Sequence, residues 1–189
     1  FTTTPWTLPS NTGIMVNPHA DYAKVKVKDE TFIIAKDLVE TVMKKANIRN
    51  YKILKTVKGK TLEGTLYTNV LKDLLPLQKD IVGRVVLSDQ FVSLEEGTGL
   101  VHTAPGHGKE DYKVGKDNSL PIISPLNLDG TFTEEAGFLK GIYAKDADPI
   151  ILEKLKERSA IFAEEKITHD YPLCWRCGTP LLLMSIPQW

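Results

Sequence analysis

The chain has 189 residues, in which 24 lysines and arginines balance 24 aspartates and glutamates, so the formal net charge is zero at pH 7. A hydrophobic content of 42% excludes a disordered tail, and the neutral balance excludes a nucleic-acid binder that relies on bulk positive charge. Any contact with RNA is therefore expected to be local. No apolar run reaches the roughly 18 residues of a membrane helix. The missing initial methionine and the apolar end at residues 187–189 predict a segment cut from a larger protein.

The first third of the chain has the pattern of β-strands. Residues 22–28 alternate apolar and basic side chains with a period of two, and residues 30–36 follow after a short polar turn. This pattern predicts a hairpin with one solvated face. The lysines at 24, 26 and 28 fit either a stripe that faces RNA or an ordinary solvated face, and the zero net charge favours the second interpretation.

Periodicity and turn residues predict the remaining elements. Asp37 precedes an apolar set with a period of 3.6, which predicts an N-cap and a helix over residues 38–47. The other predicted elements are strands at 51–57, 81–87 and 90–94, a glycine-rich loop at 97–108, a short helix from Lys109 and a helix at 147–158. Strands outnumber helices without alternating with them, so the predicted fold class is α+β, a β-rich, barrel-like domain with peripheral helices.

Residues 2–11 form a strip rich in hydroxyl groups. Its two prolines deny it a regular helix, so an extended conformation is predicted. Hydroxyl groups both donate and accept hydrogen bonds, and such a strip can hold a water molecule or a sugar hydroxyl without adding charge. The structural alternative is a polar strand edge with Trp6 in the core.

A second polar group lies in residues 97–111. A phosphate-binding loop is excluded because Lys109 is followed by glutamate instead of serine or threonine. His102, His107 and Asp111 offer three metal ligands, although their spacing matches no established motif. Alternatively, His102 and Asp111 line a pocket whose carboxylate binds a free ammonium group, or both are structural. No Gly-x-Ser-x-Gly signature marks a nucleophilic serine, so a hydrolytic domain of this kind would use water.

Both cysteines, Cys174 and Cys177, fall in one tetrapeptide, which favours an intracellular protein over a secreted disulfide scaffold. A thioredoxin-type motif would need a βαβ setting that is missing here. The neighbouring proline and glycine fit a zinc knuckle better. A closed zinc site needs four ligands, and this chain offers two, or three with His169. Half of the site is therefore expected outside the chain.

Three stretches occur in order over almost the whole chain: TTTPWTLPSN at residues 2–11, GTGLVHTAPGHGKEDY at 97–112, and DYPLCWRCGTPL followed by PQW within 170–189. Together they resemble the editing domain of isoleucyl-tRNA synthetase, an insertion called connective polypeptide 1. The sister domains of the valyl and leucyl enzymes typically begin Thr-Thr-Arg-Pro, so Thr4-Pro5-Trp6 favours the isoleucyl member. The resemblance implies one editing domain over residues 1–189, with 170–189 as a returning arm that carries half of a zinc knuckle.

The resemblance also implies hydrolysis of mischarged valyl-tRNA(Ile) and of valyl-adenylate. Isoleucyl-tRNA synthetase is itself the established example of the underlying limit: one missing methylene is worth about 1–3 kcal/mol, so the synthetic pocket discriminates only about 150-fold. A second, smaller pocket then removes valine and excludes isoleucine. The implied partners are the aminoacylated 3′ end of tRNA, valyl-adenylate and the catalytic domain of the parent synthetase, in the cytoplasm and without a membrane. Editing itself needs no cofactor, whereas the full-length protein would hold a structural zinc.

Each site residue takes its expected role from the family. Thr2, Thr3 and Thr4 are expected to hold the terminal adenosine and position the hydrolytic water, and Asp111 is expected to bind the α-ammonium of the substrate. The remaining assignments are Trp6 and Asn11 beside the strip, His102 as the wall that excludes isoleucine, His107 and Lys109 at the entrance with Lys109 near an RNA phosphate, and Cys174 and Cys177 as zinc ligands. The competing hypotheses are an editing domain of the valyl type, a metal hydrolase, and a non-catalytic module that binds tRNA.

Overall fold

The computed structural model describes residues 1–168 and 170–186. Seven strands and three α-helices lie in this part of the chain. The strands are β1 (Gly13–Val16), β2 (Asp21–Val27), β3 (Glu30–Ala35), β4 (Lys52–Lys58), β5 (Leu66–Tyr67), β6 (Gly83–Leu87) and β7 (Leu100–Thr103). The α-helices are α1 (Val39–Lys45), α2 (Lys109–Asp117) and α3 (Asp148–Glu157), and short 3-10 helices connect several of these elements. The described helices include none that is long and apolar enough to cross a membrane.

The strands form two sheets. The larger has the order β5-β6-β1-β7, with β1 parallel to β6 and antiparallel to β7. The smaller is antiparallel, with β2 between β3 and β4. The α+β class is confirmed, and the described strands divide between two open sheets, neither of which closes into a barrel.

Three apolar clusters support these sheets. One packs β2 and β3 against α1, and its members include Val25, Ile34 and Val42. A second surrounds Trp6, Phe132 and Ile151, and a third joins β1 and β6 to α2. Burying one large apolar side chain is worth about 1.5–3 kcal/mol. The first cluster therefore fixes the smaller sheet, and the second fixes the 3-10 helix Pro5–Ser10 of the strip.

Several predicted elements are confirmed. The hairpin at 22–36 is β2 and β3, in which Val27 pairs with Glu30 across the turn. The strands at 51–57 and 81–87 are β4 and β6, and the three predicted helices are α1, α2 and α3. The predicted N-cap role of Asp37 is wrong, because this residue lies in a 3-10 turn before α1 and α1 has no side-chain cap.

Two other predictions are wrong for local reasons. Residues 90–94 form no strand, because the hydroxyls of Ser88 and Ser93 accept hydrogen bonds from the backbone N–H groups of Phe91 and Glu95, which favours turns. The actual strand, β7, lies within the predicted loop at 97–108. Residues 5–10 are a 3-10 helix instead of an extended strip, since the Thr7 N–H donates to the Thr4 carbonyl over 3.0 Å.

Candidate active site

The threonine strip begins at the edge of β7. The α-ammonium group of Phe1 donates to the carbonyl of Leu100, and the backbone N–H of His102 donates to the carbonyl of Phe1, both over 3.0 Å. These bonds place Thr2 directly after a residue paired with β7. The chain then turns into the 3-10 helix Pro5–Ser10 and enters β1, which pairs with β7 so that Ile14 lies opposite His102.

Hydroxyl groups of the strip form a continuous hydrogen-bonded group. Thr2 Oγ1 accepts a bond from the Thr4 N–H over 3.1 Å and lies 3.5 Å from Thr4 Oγ1. The Thr7 hydroxyl donates to the Thr4 carbonyl over 2.8 Å, and its oxygen lies 3.2 Å from Thr4 Oγ1. Thr2 and Thr4 are half-buried, whereas Thr3 is exposed. The strip therefore presents fixed hydroxyls at its base and a solvent-facing threonine at its rim.

His102 connects this strip to the sheet. Its Nε2 lies 2.9 Å from Thr7 Oγ1, and its Nδ1 lies 2.8 Å from Asn11 Nδ2. Burial lowers the pKa of His102 to about 3, and the neighbouring His107 acts in the same direction. The imidazole is therefore neutral at physiological pH, and both of its nitrogens are occupied. Such a ring is suited to form a wall and is poorly suited to accept a proton from water.

Asp111 reaches the same region from the first turn of α2. Its Oδ2 accepts a hydrogen bond from the backbone N–H of Ala104, the residue that follows β7, over 2.8 Å. Burial raises the pKa of Asp111, and the Ala104 hydrogen bond opposes this rise. The result is a half-buried carboxylate fixed at Ala104, two residues after His102. Lys109 is exposed at the start of the same helix.

His107 does not lie at an entrance, which corrects that expectation. It is 8% exposed, its Nε2 lies 3.0 Å from Ser10 Oγ, and its Nδ1 lies 3.0 Å from the Leu183 carbonyl oxygen. The ring also packs edge-on against Trp6, with ring centroids 5.1 Å apart. Trp6 is 3% exposed in the core, so its predicted contact with substrate stays a prediction. Through Trp6 and Ser10, His107 packs against the 3-10 helix.

Three residues of this region were missed by sequence reasoning. Thr7 lies within the strip but was assigned no role, although a residue three positions after Thr4 lies on the same side of a 3-10 helix as Thr4. Tyr67 donates its hydroxyl to Asn11 Oδ1 over 2.6 Å, and no sequence signal links positions 56 residues apart. Asp148 accepts the backbone N–H of Trp6 over 2.7 Å, which fixes the first turn of the strip to the first turn of α3.

The hypothesis of a metal hydrolase gains no support from this geometry. Both ring nitrogens of His102 and both of His107 already take part in hydrogen bonds within the protein. Within residues 1–168 and 170–186, no three histidine, cysteine, aspartate or glutamate side chains are grouped closely enough to hold a metal ion.

The cysteine pair lies at a tight turn far along the chain. Leu173 pairs with Pro180, and the Cys174 N–H donates to the Thr179 carbonyl over 2.8 Å. Hydrogen bonding from Thr179 lowers the pKa of Cys177 to about 7, which favours the thiolate that zinc requires. The two thiols fit half of a zinc site, and His169, the suggested third ligand, lies outside the described residues.

One groove in the described part of the chain is separate from these residues. It has a volume of about 870 Å³ and is lined mainly by residues 68–76, Lys79 and Gly137. None of the strip, His102 or Asp111 lines it. The groove is mostly apolar, and the candidate site rests instead on the hydrogen-bond geometry of the strip, His102 and Asp111.

Comparison with known proteins identifies relatives over the whole chain. No family model matches. The isoleucine–tRNA ligase of Saccharolobus islandicus is 48% identical over 191 residues, which cover 100% of this chain and 18% of that protein. The enzyme of Pyrococcus horikoshii is 48% identical over 199 residues and that of Kosmotoga olearia 47% over 189, again across 100% of this chain and 18% and 20% of those proteins. The chain is homologous to one segment of the isoleucine–tRNA ligases. It spans about a fifth of their length.

Solved structures show which fold this chain has. The crystal structure of GlLeuRS-CP1 superposes with a TM-score of 0.68 at 18% identity, over 87% of this chain and 82% of that chain. The editing domain of Plasmodium falciparum cytosolic leucyl-tRNA synthetase gives a TM-score of 0.61 at 12% identity, over 83% of this chain and 75% of that one. The segment therefore has the fold of a connective polypeptide 1 editing domain.

Proposed function

We propose that this chain is a hydrolytic editing domain that removes valine from valyl-tRNA(Ile) and from valyl-adenylate. One observation carries the proposal: a neutral His102, bonded on both nitrogens to the threonine strip and Asn11, lies on the same short segment that fixes the Asp111 carboxylate. The hydroxyl-lined surface matches the ribose of an aminoacyl ester, and the uncharged wall matches its apolar side chain. The half-buried carboxylate matches its α-ammonium.

The chemistry is ester hydrolysis by positioned water. Asp111 binds the α-ammonium, and Thr2, Thr3 and Thr4 bind the terminal ribose and place a water beside the carbonyl carbon. The water oxygen attacks that carbon, and the bond from the carbon to the leaving oxygen breaks. In valyl-tRNA the ribose oxygen leaves and takes up the proton that the water loses; in valyl-adenylate the phosphate leaves as an anion and that proton is released to solvent. Holding the two reactants together and donating hydrogen bonds to the developing oxyanion supply most of the rate. His102 acts as the steric wall, since neither of its nitrogens is free to take a proton.

The remaining parts of the proposal concern the whole protein. Residues 1–189 act as a single editing domain that works together with the catalytic domain of its parent synthetase. Residues 170–189 form the returning arm, where Cys174 and Cys177 would bind a zinc ion that stabilises the arm when further ligands are supplied. The editing reaction itself uses no metal. Lys109, exposed at the start of α2, meets a phosphate near the 3′ end of the tRNA.

The proposal is tested by multiple-turnover deacylation. Valyl-tRNA(Ile) in large excess over the protein is expected to release free valine through many cycles, at a rate that EDTA does not change. A single stoichiometric binding event without turnover would favour the non-catalytic tRNA-binding module, and loss of turnover in EDTA that zinc restores would favour a metal hydrolase. A preference for threonyl-tRNA(Val) over valyl-tRNA(Ile) would favour the valyl type of editing domain.

A further inference from the structure

The buried side-chain amide of Asn11 has four hydrogen-bond partners, of which the Thr103 carbonyl, 3.4 Å from Nδ2, is the most distant. Its Nδ2 donates one hydrogen to the Gly13 carbonyl over 2.9 Å and lies 2.8 Å from His102 Nδ1. A carbonyl oxygen can only accept, so the nitrogen of this amide must face Gly13, and its second hydrogen points to His102. Asn11 Oδ1 accepts the hydroxyl hydrogen of Tyr67 over 2.6 Å.

This orientation fixes the protonation state of His102. Because Nδ1 accepts from Asn11, the single proton of the neutral ring lies on Nε2 and is donated to Thr7 Oγ1 over 2.9 Å. The Thr7 hydroxyl passes its own hydrogen to the Thr4 carbonyl over 2.8 Å. The hydrogen bonds therefore run in one direction, from Tyr67 through Asn11, His102 and Thr7 to the strip.

The fold makes a specific place for Tyr67. This residue ends β5 and pairs with Gly83 of β6, at the edge of the larger sheet. A β-carbon at position 83 would lie 2.3 Å from the Cζ atom of Tyr67, so only glycine lets the phenol ring lie across the strand toward Asn11. Burial also raises the pKa of the Tyr67 hydroxyl, which therefore remains a donor at physiological pH.

We infer that Tyr67 is a positioning residue that sets the tautomer and the plane of His102 through Asn11, and thereby sharpens the selection of valine over isoleucine. The effect on selection rests on the proposed function, whereas the effect on His102 does not. Without the Tyr67 hydroxyl, Asn11 Oδ1 becomes a buried acceptor with no partner, which weakens the preferred amide orientation by about 5- to 150-fold.

The test measures the ring nitrogens of His102 by ¹⁵N NMR. The wild-type protein is expected to show only the Nε2–H tautomer, and Tyr67→Phe is expected to show both tautomers with little loss of fold because the ring is kept. Gly83→Ala, which displaces the ring but keeps the hydroxyl, should give the same change. Tyr22→Phe is the matched control, since it removes a buried hydroxyl that donates to Gly99 just before β7 and has no hydrogen bond to Asn11 or His102.

Activity provides the second measurement. Tyr67→Phe is expected to lower the ratio of valyl-tRNA(Ile) to isoleucyl-tRNA(Ile) hydrolysis about tenfold, and Tyr22→Phe is expected to preserve it. A His102 spectrum that is unchanged in Tyr67→Phe, or a wild-type ring protonated on Nδ1, overturns the inference. A wild-type protein that hydrolyses neither substrate overturns the proposed function instead, and the NMR result still decides the role of Tyr67.

A second observation, independent of the site, concerns the outer face of the smaller sheet. The strand register places Lys24 opposite Lys55 and Lys26 opposite Lys52. Like charges directly across a strand pair destabilise a sheet, and none of these four lysines forms an ion pair with any carboxylate in residues 1–168 or 170–186. The other residues in register on this face are Ile33 and Thr31 of β3, which add no negative charge.

We propose that this lysine face binds the phosphate backbone of the tRNA whose 3′ end enters the site. The phosphate backbone is a polyanion, so it offsets the repulsion between the paired lysines. The lysine face and the tRNA backbone are therefore complementary in charge. The zero net charge of the chain is compatible with this role, because the positive charge is concentrated on one face of two strands. Edge-strand lysines alone discourage sheet pairing, but Lys24 and Lys26 belong to the central strand β2.

Salt-dependent binding of unacylated tRNA(Ile) tests this proposal. Lys24→Gln with Lys55→Gln is expected to reduce the slope of log affinity against log salt by roughly 1.4–1.8, about 0.7–0.9 for each lost phosphate contact. The double variant should also melt at a higher temperature in low salt, because a repulsive pair is removed. The control, Lys44→Gln with Lys60→Gln, removes the same charge from exposed positions elsewhere. Equal slopes for the two double variants, or no change in either, overturn the proposal.

Discussion

Replacing Asp111 with asparagine is expected to lower the kcat/KM for deacylation of valyl-tRNA(Ile) by roughly 30-fold or more. The variant keeps an oxygen that can accept the Ala104 N–H, so the turn between β7 and α2 is preserved. It removes the charge that pairs with the substrate ammonium, and an ion left without its partner at a partly desolvated site costs about 2–5 kcal/mol. Measured with acylated tRNA under single-turnover conditions, the loss should appear mainly in substrate affinity.

The matched control for this change is Glu110→Gln, one residue earlier on α2 and exposed. It removes the same charge from the helix and is expected to leave deacylation nearly unchanged. Full activity in Asp111→Asn, or equal losses in both variants, would show that the carboxylate does not bind the ammonium.

The raised pKa of Asp111 gives this residue a signature in pH. Its carboxylate takes up a proton at a higher pH than an exposed aspartate does, so the rate should fall on acidification through that raised pKa. The folded state binds this proton more tightly than the unfolded state, so protonation stabilises the fold over the same pH range. On acidification, activity should therefore fall while the contribution of Asp111 to stability rises. Asp111→Asn should lose this pH dependence in both the activity profile and the stability profile.

Replacing His102 with alanine is expected to make the domain hydrolyse correctly charged isoleucyl-tRNA(Ile). The imidazole is held on both sides, by Asn11 and Thr7, and its removal opens space where the extra methylene of isoleucine can enter. Because one methylene is worth about 1–3 kcal/mol in such a pocket, hydrolysis of isoleucyl-tRNA should rise by roughly 10- to 200-fold relative to valyl-tRNA. The ratio of the two deacylation rates measures this directly.

The control for the loss of an imidazole is His19→Ala, an exposed residue in the turn before β2. It should leave the ratio unchanged. A His102→Ala protein that still spares isoleucyl-tRNA would remove this residue from the wall. A protein that hydrolyses neither substrate would instead place His102 in the support of the strip, because Thr7 loses its donor in the same variant.

Sequence patterns predicted most elements whose signal is local. The hairpin of β2 and β3 follows from alternation, and α1 and α3 follow from apolar residues with helical spacing. β1 was missed because its four residues lie between a polar strip and a turn, and only its pairing with β6 and β7 defines it as a strand. The strip was predicted to be extended, since two prolines exclude an α-helix, but proline at the first helical position is compatible with a 3-10 helix.

The candidate site was predictable to the extent that its members lie in short motifs. One hydrogen-bonded group contains Thr2, Thr4, Asn11 and His102. The resemblance of the motifs did not indicate which of these residues contact each other. Tyr67 could not be found, because its link to Asn11 depends on a two-residue strand placed by β6. The role of His107 was misjudged because a histidine beside glycines looks exposed in sequence, whereas Ser10 and Leu183 enclose it.

Phe1 and Ser185, which lie at or near the two ends of the described chain, attach to the same short stretch. Phe1 is bonded to Leu100 and His102, while the N–H of Ser185 donates to the Gly106 carbonyl over 2.8 Å. Residues 100–106, which carry His102 and the Ala104 N–H that anchors Asp111, are therefore held by hydrogen bonds from both positions. A displacement of either Phe1 or Ser185 is expected to act directly on the segment that positions both side chains.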